Sequence, residues 1–151
     1  MEFENLYQDI ILDHYKHPRN FGEGQPQCTA VELDNPTCGD HIKLMLEVNE
    51  NGVVKDVKFS GSGCAISVAS ASMMTEEIIG KSVSEAKAIV KDVLETMRGE
   101  KEPNELNEHG DISALKGVIK YPARVKCATL SWHAVQKALN ESEKKQNADG
   151  K

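Results

Sequence analysis

Positive charge is in short supply in this chain. Its 18 lysines and arginines are interspersed among 24 aspartates and glutamates, for a formal net charge of -6. There is no basic stripe of the kind that tracks a phosphate backbone, which argues against nucleic acid as a partner. Long apolar runs are also missing, with none near the roughly 20 residues that span a bilayer. The opening Met1-Glu2-Phe3-Glu4-Asn5 lacks the basic flank and apolar core of a secretion signal. A soluble, cytoplasmic protein with no membrane partner is expected. Cysteine is sparse, four in 151 residues. Without a secretion signal, that points to metal ligands, catalytic thiols or buried thiols rather than disulfide staples. No repeat is apparent, and the length suits one compact domain.

Hydrophobic periodicity outlines the elements. Phe3, Leu6, Tyr7, Ile10 and Ile11 recur at helical spacing up to His17, and Pro18, Asn20 and Gly22 end the pattern. Ile42, Leu44, Leu46 and Val48 alternate with Lys43, Met45 and Glu47, then Asn51-Gly52 supplies a hairpin turn that sends Val57 and Phe59 inward. Thr29 to Leu33 alternates more weakly and supplies a third strand. Gly61-Ser62-Gly63 breaks the second hairpin strand, and a helix rich in small residues follows from Ala65 to Ile79. Ser82 and Glu85 form a capping-box pattern ahead of Ala86, Ile89, Val90, Val93, Leu94 and Met97. Residues 100 to 110 read as a mobile connection or surface insertion, with Asp111 capping a short helix through Leu115. Pro122 opens a long C-terminal helix with Ala128, Trp132, Val135 and Leu139 on one face.

Strands followed by helices without regular alternation predict an α+β fold: a small antiparallel three-stranded sheet with helices packed on one face and a long C-terminal helix. One domain is expected over residues 1–142. Residues 143–151 are nearly all polar and read as a frayed tail.

Three cysteines stand in settings that favour a thiolate. Cys38 and Asp40 share the turn-forming stretch Asn35-Pro36-Thr37-Cys38-Gly39-Asp40, where a bend can aim both at one centre. Cys64 follows Gly61-Ser62-Gly63 at a helix start, and Cys127 lies early in a helix beside Arg124 and Lys126, so dipole and cations favour ionisation. Three thiolates and a carboxylate around a zinc ion would hold a net charge near -2, with Arg124 and Lys126 as compensation. Cys28 has no such neighbours and reads as a small buried hydrophobe. Of the histidines, His14 reads as a hydrogen-bonded core residue. His17, His109 and His133 read as exposed, and His41 points away from Asp40 by strand alternation.

Taken in order, Asn-Pro-Thr-Cys38-Gly-Asp40, Gly-Ser-Gly-Cys64-Ala-Ile-Ser and Arg124-Val-Lys-Cys127-Ala-Thr-Leu-Ser-Trp make the chain resemble the SufU proteins of the IscU/NifU N-terminal-like iron–sulfur scaffold superfamily. The resemblance runs from the N-terminal helix to about Leu139 and includes His14-Tyr15-Lys16-His17-Pro18-Arg19-Asn20. Scaffold members carry a histidine immediately before the third cysteine and a shorter stretch between the second and third. Here Lys126 takes that place, and Gly110-Asp111-Ile112-Ser113-Ala114-Leu115 resembles the longer SufU insertion. The resemblance implies an enzyme, a zinc-dependent sulfurtransferase, in which Cys38, Asp40, Cys64 and Cys127 hold zinc. It further implies that Cys38 accepts persulfide sulfur from a SufS-type, pyridoxal-phosphate-dependent cysteine desulfurase. That partner would supply a histidine in place of Cys38, and downstream SUF cluster-assembly proteins would follow. The alternative is a scaffold on which a transient iron–sulfur cluster assembles at the same residues.

Overall fold

The computed structural model describes residues 9–26, 28–36 and 39–149. Helix α1 (Asp9–Lys16) occupies the later part of the expected N-terminal helix, while Phe3, Leu6 and Tyr7 lie outside the described residues. Strands β1 (Thr29–Asn35), β2 (Asp40–Val48) and β3 (Val54–Ser62) form an antiparallel sheet in that order. Helices α2 (Ala65–Ile78), α3 (Val83–Met97) and α4 (Pro122–Asp149) follow, with 3₁₀ turns over Pro103–Lys120 between the last two. The fold is the expected α+β arrangement, with α4 packed on β1 and β2 and α2 packed on β3.

The period of two fixes the core face. Val31 pairs with Leu44, Leu33 with Ile42, Leu44 with Phe59 and Leu46 with Val57. Of these, Val31, Ile42, Leu44, Leu46, Val57 and Phe59 are buried. The same row ends at the pair Asn35 and Asp40, so two polar side chains share a face with the core.

Two expectations about the strands change. Gly61 does not break β3; it pairs with Ile42, at a φ of 132°, and a Cβ there would run into the His41 carbonyl oxygen. Met45, on the outer face, is nonetheless buried, because Gly24 folds over it and donates its N–H to Met45 Sδ at 3.1 Å. The neighbouring stretch covers the β3 edge: Gly22 donates to the Phe59 carbonyl and Phe59 donates to that of Asn20. An unpaired edge would otherwise invite another chain.

The capping box is present, with Glu85 N–H on Ser82 Oγ at 3.1 Å and Ser82 N–H on Glu85 Oε1 at 3.2 Å. Residues 100 to 110 lie at the surface, as a surface insertion would, except for the buried Leu106 and His109, and the stretch after them turns inward. Leu106, Ile112, Leu115 and Val118 are fully buried, spaced for tight turns and not for an α-helix. Two runs of turns meet at a kink where Gly110 takes φ 59° and ψ -129°, a conformation only glycine adopts readily. His109, expected to be exposed, is buried and donates to Asp92 Oδ2 at 2.6 Å. Asp111 does not cap a helix; its Oδ2 accepts the Nε2 proton of the buried His14 at 2.9 Å, while His14 Nδ1 lies 2.7 Å from Ser72 Oγ. The core role expected of His14 is what its position shows. Among the described residues, no helix is long and apolar enough to cross a membrane.

Candidate metal centre

Each side chain at the sheet's open end arrives by a different element. Asp40 begins β2, and its carboxylate is 1% exposed. Cys64 is the N-cap of α2, in extended backbone with φ -73° and ψ 170°. Cys127 lies in the second turn of α4, fully buried, with its Sγ 3.8 Å from the Ala123 carbonyl oxygen. That position is past the first turn, where a helix terminus exerts most of its field.

The three donor atoms lie within 4.8 Å of one another. Of the four residues expected to form one centre, these three converge. The fourth, Cys38, lies outside the described residues. The Asn35 carbonyl accepts the Gly39 N–H at 2.8 Å.

The donors suit a metal such as zinc, for which thiolates and carboxylates in tetrahedral array stand about 3.3–3.8 Å apart. Asp40 gives the sharper test. Its Oδ1 accepts the Cys64 backbone N–H at 3.1 Å, whereas its buried Oδ2 meets no hydrogen-bond donor among the described residues. A buried carboxylate oxygen without a donor is costly, and a cation on the vacant lone pairs removes the cost. Gly63 completes the cradle: a Cβ there would come 2.6 Å from Asp40 Oδ1 and 3.1 Å from Ser67 Cβ. Its role was hidden in the sequence, where the glycine beside Cys64 signals only a flexible backbone.

Other expected participants lie elsewhere. Lys126 is exposed and lines a surface groove of about 470 Å³ with Met97, Val125 and His133. Burial and the nearby Arg98 together hold His133 below the ordinary histidine range. Cys28 precedes Thr29, which pairs with Leu46 at the far end of β1, about 20 Å along the strand from Asn35. His41 faces outward beside Asp34. A second convergence, of His14 with Glu76 and Asp111, spends the His14 nitrogens on Ser72 and Asp111, with Glu76 Oε1 at 3.7 Å.

Comparisons with known proteins agree with this architecture. The zinc-dependent sulfurtransferase SufU of Bacillus subtilis (strain 168) is 47% identical over 140 residues, 93% of each chain. The iron-sulfur cluster assembly scaffold protein IscU of Streptococcus pyogenes serotype M1 is 41% identical, over 93% of this chain and 87% of its own. The crystal structure of FiSufU from Fervidobacterium islandicum AW-1 matches at a TM-score of 0.76 and 35% identity, covering 90% of this chain and 98% of the other. The NifU-like N terminal domain profile matches residues 6–128, a span that takes in the sheet, α2 and the start of α4 with Cys127. The chain belongs to the NifU-like N-terminal domain family.

Proposed function

We propose that this protein is a zinc-dependent sulfurtransferase of iron–sulfur cluster assembly, working in the cytoplasm with a SufS-type cysteine desulfurase. The observation that carries the proposal is the convergence of Asp40, Cys64 and Cys127, with a buried Asp40 oxygen that meets no donor among the described residues. Cys38 is the fourth ligand and the sulfur acceptor. It precedes Asp40 by two residues in the sequence, beside a glycine, whereas Cys64 caps one helix and Cys127 lies within another. Zinc supplies the charge that keeps a thiol deprotonated near neutral pH.

In the transfer, the Cys38 thiolate attacks the outer sulfur of the desulfurase persulfide. A new sulfur–sulfur bond forms on Cys38 as the donor's bond breaks, and its electron pair leaves on the donor cysteine as a thiolate. No net oxidation occurs. The enclosed position of Asp40 and Cys127 keeps water from that side of the centre.

The second reading is a scaffold for a transient cluster, the role named for the Streptococcus pyogenes relative. Lys126 in place of a histidine before Cys127, and the long Pro103–Lys120 connection, favour transfer. The test is metal content of protein purified without added metal, followed by persulfide mapping after incubation with desulfurase and cysteine. Stoichiometric zinc, sulfur on Cys38 and none accepted by a folded Cys38→Ala variant are expected. Iron and sulfide with a visible chromophore would establish the scaffold instead.

A further inference from the structure

We propose that Asn35 is a positioning residue of the metal centre, its side-chain N–H held for a thiolate sulfur of the ligand set. The inference rests on the metal-binding part of the reading above. Asn35 ends the core-facing row of β1 and is 7% exposed. Its Nδ2 is buried and has no acceptor among the described residues.

Directly across the ladder stands Asp40, whose Oδ2 is the matching orphan acceptor. Opposed side chains on one face start from Cβ atoms about 4.5–5.5 Å apart, so the two orphans are neighbours. Yet they do not bond to each other. A buried donor and a buried acceptor left open side by side are each expensive, and two such groups within one pair mark a place prepared for something else.

The requirements of the two atoms differ. Asp40 Oδ2 needs a cation. Asn35 Nδ2 needs an acceptor rich in electrons, and the ligand set supplies thiolates. An N–H on a metal-bound sulfur draws off part of the excess negative charge of a carboxylate-and-thiolate site, and such outer partners fix the orientation of the ligands. Asparagine suits the task because it carries no charge. A lysine or arginine opposite Asp40 would form an ion pair with the carboxylate and compete with the metal. The backbone holds the amide in place, since the Asn35 carbonyl accepts the Gly39 N–H and closes the turn.

A residue reserved for the loaded site has an unusual signature: its loss harms metal binding but not the metal-free fold. Asn35→Leu replaces the unsatisfied amide with an apolar group of similar branching, and Asn35→Asp keeps the shape while removing the donor. The full-length chain is stripped with chelator, and three quantities are measured for wild type and variants: thermal unfolding without metal, zinc affinity by chelator competition, and the sulfur-to-cobalt charge-transfer band of the Co2+ form.

The expected result for Asn35→Leu is a metal-free unfolding temperature equal to or above wild type, zinc affinity about 10–100-fold weaker, and a displaced charge-transfer band. Asn35→Asp loses more affinity, because it adds a negative charge. Unchanged affinity and band in the variants would overturn the inference. So would a metal-free Asn35→Leu protein that is destabilised or unfolded, since that outcome makes Asn35 a structural residue of the strand end. A wild-type chain that binds neither zinc nor cobalt through sulfur would overturn the metal-binding reading itself, and the wild-type measurement alone decides that.

Discussion

The carboxylate of Asp40 joins the start of β2 to the start of α2. Its Oδ1 accepts the backbone N–H of Cys64 at 3.1 Å, so a donor oxygen and a donor sulfur are held in register by one hydrogen bond. A negative group at a helix N-terminus is favoured by the helix dipole, and here the group doing the stabilising is itself a ligand candidate.

Asp40→Asn separates those two duties. The amide oxygen can still accept the Cys64 N–H, while the NH2 group replaces the oxygen that would face the metal. The variant is expected to fold. Loss of an outer-shell partner alone typically weakens a metal by about 10–100-fold, so loss of a ligand costs at least that much. Zinc at 100 times its dissociation constant stabilises a protein by about 2.7 kcal/mol. The same zinc concentration should therefore raise the unfolding temperature of wild type well above that of Asp40→Asn. Equal shifts would remove Asp40 from the ligand set.

Gly63→Ala tests the cradle from the other side. The added methyl would stand 2.6 Å from Asp40 Oδ1 and 3.0 Å from Ser67 Oγ. Because the Asp40 carboxylate is buried and held by Cys64, it relieves the clash only by turning away from its place. Overpacking of this kind costs about 1–3 kcal/mol. A fall in urea midpoint together with weaker zinc binding is expected. Loss of stability with full zinc affinity would show that the carboxylate has room to move.

Acid stability carries a separate signature, far from the metal centre. Burial works against ionisation of Asp92, but hydrogen bonds from Lys101 and His109 outweigh it and hold its carboxyl below the ordinary range. A group whose folded value is depressed contributes stability above its unfolded value, about 4 for aspartate, and loses it as pH falls through the folded value. Asp92→Asn should cost about 1.5–3 kcal/mol at pH 6, the usual range for a bond to a charged group. The gap between wild type and variant should narrow below pH about 4 in denaturant titrations. A gap that stays constant with pH would mean that the bond's charge contributes nothing.

Much of this arrangement was legible before any coordinates, for reasons that are local. The Ser82–Glu85 box and the Asn51-Gly52 turn are written in neighbouring residues, and the alternation of β2 needs only its own sequence. The stretch Pro103–Lys120 was not legible, because its buried Leu106, Ile112, Leu115 and Val118 follow tight turns and stand among charges. At the site, the thiol settings suggested three ionised cysteines and a carboxylate around zinc, and the resemblance assigned Cys38, Asp40, Cys64 and Cys127 to that centre. Residues 24 and 63 positions apart carry no local sign that they meet. Asn35 and Gly63 escaped notice because their parts depend on what lies across the ladder or behind a missing Cβ.

The distance between Cys64 and Cys127 depends on how α2 sits against α4, and one serine bridges that contact. Ser70 Oγ donates to the Ala128 carbonyl at 2.6 Å and accepts the Trp132 Nε1 proton at 3.0 Å, with Ser70 and Trp132 fully buried. Ser70 lies two turns beyond Cys64, and Ala128 directly follows Cys127. Ser70→Ala leaves the buried indole N–H without its acceptor, at a cost of about 1–3 kcal/mol, while the Ala128 carbonyl keeps its bond within the helix. The variant should show a lower urea midpoint, altered fluorescence of the single tryptophan, and weaker zinc binding as the two thiols lose their common footing. If zinc affinity were unchanged while stability fell, the helices would hold their spacing by apolar packing alone, and the serine would serve the core without serving the site.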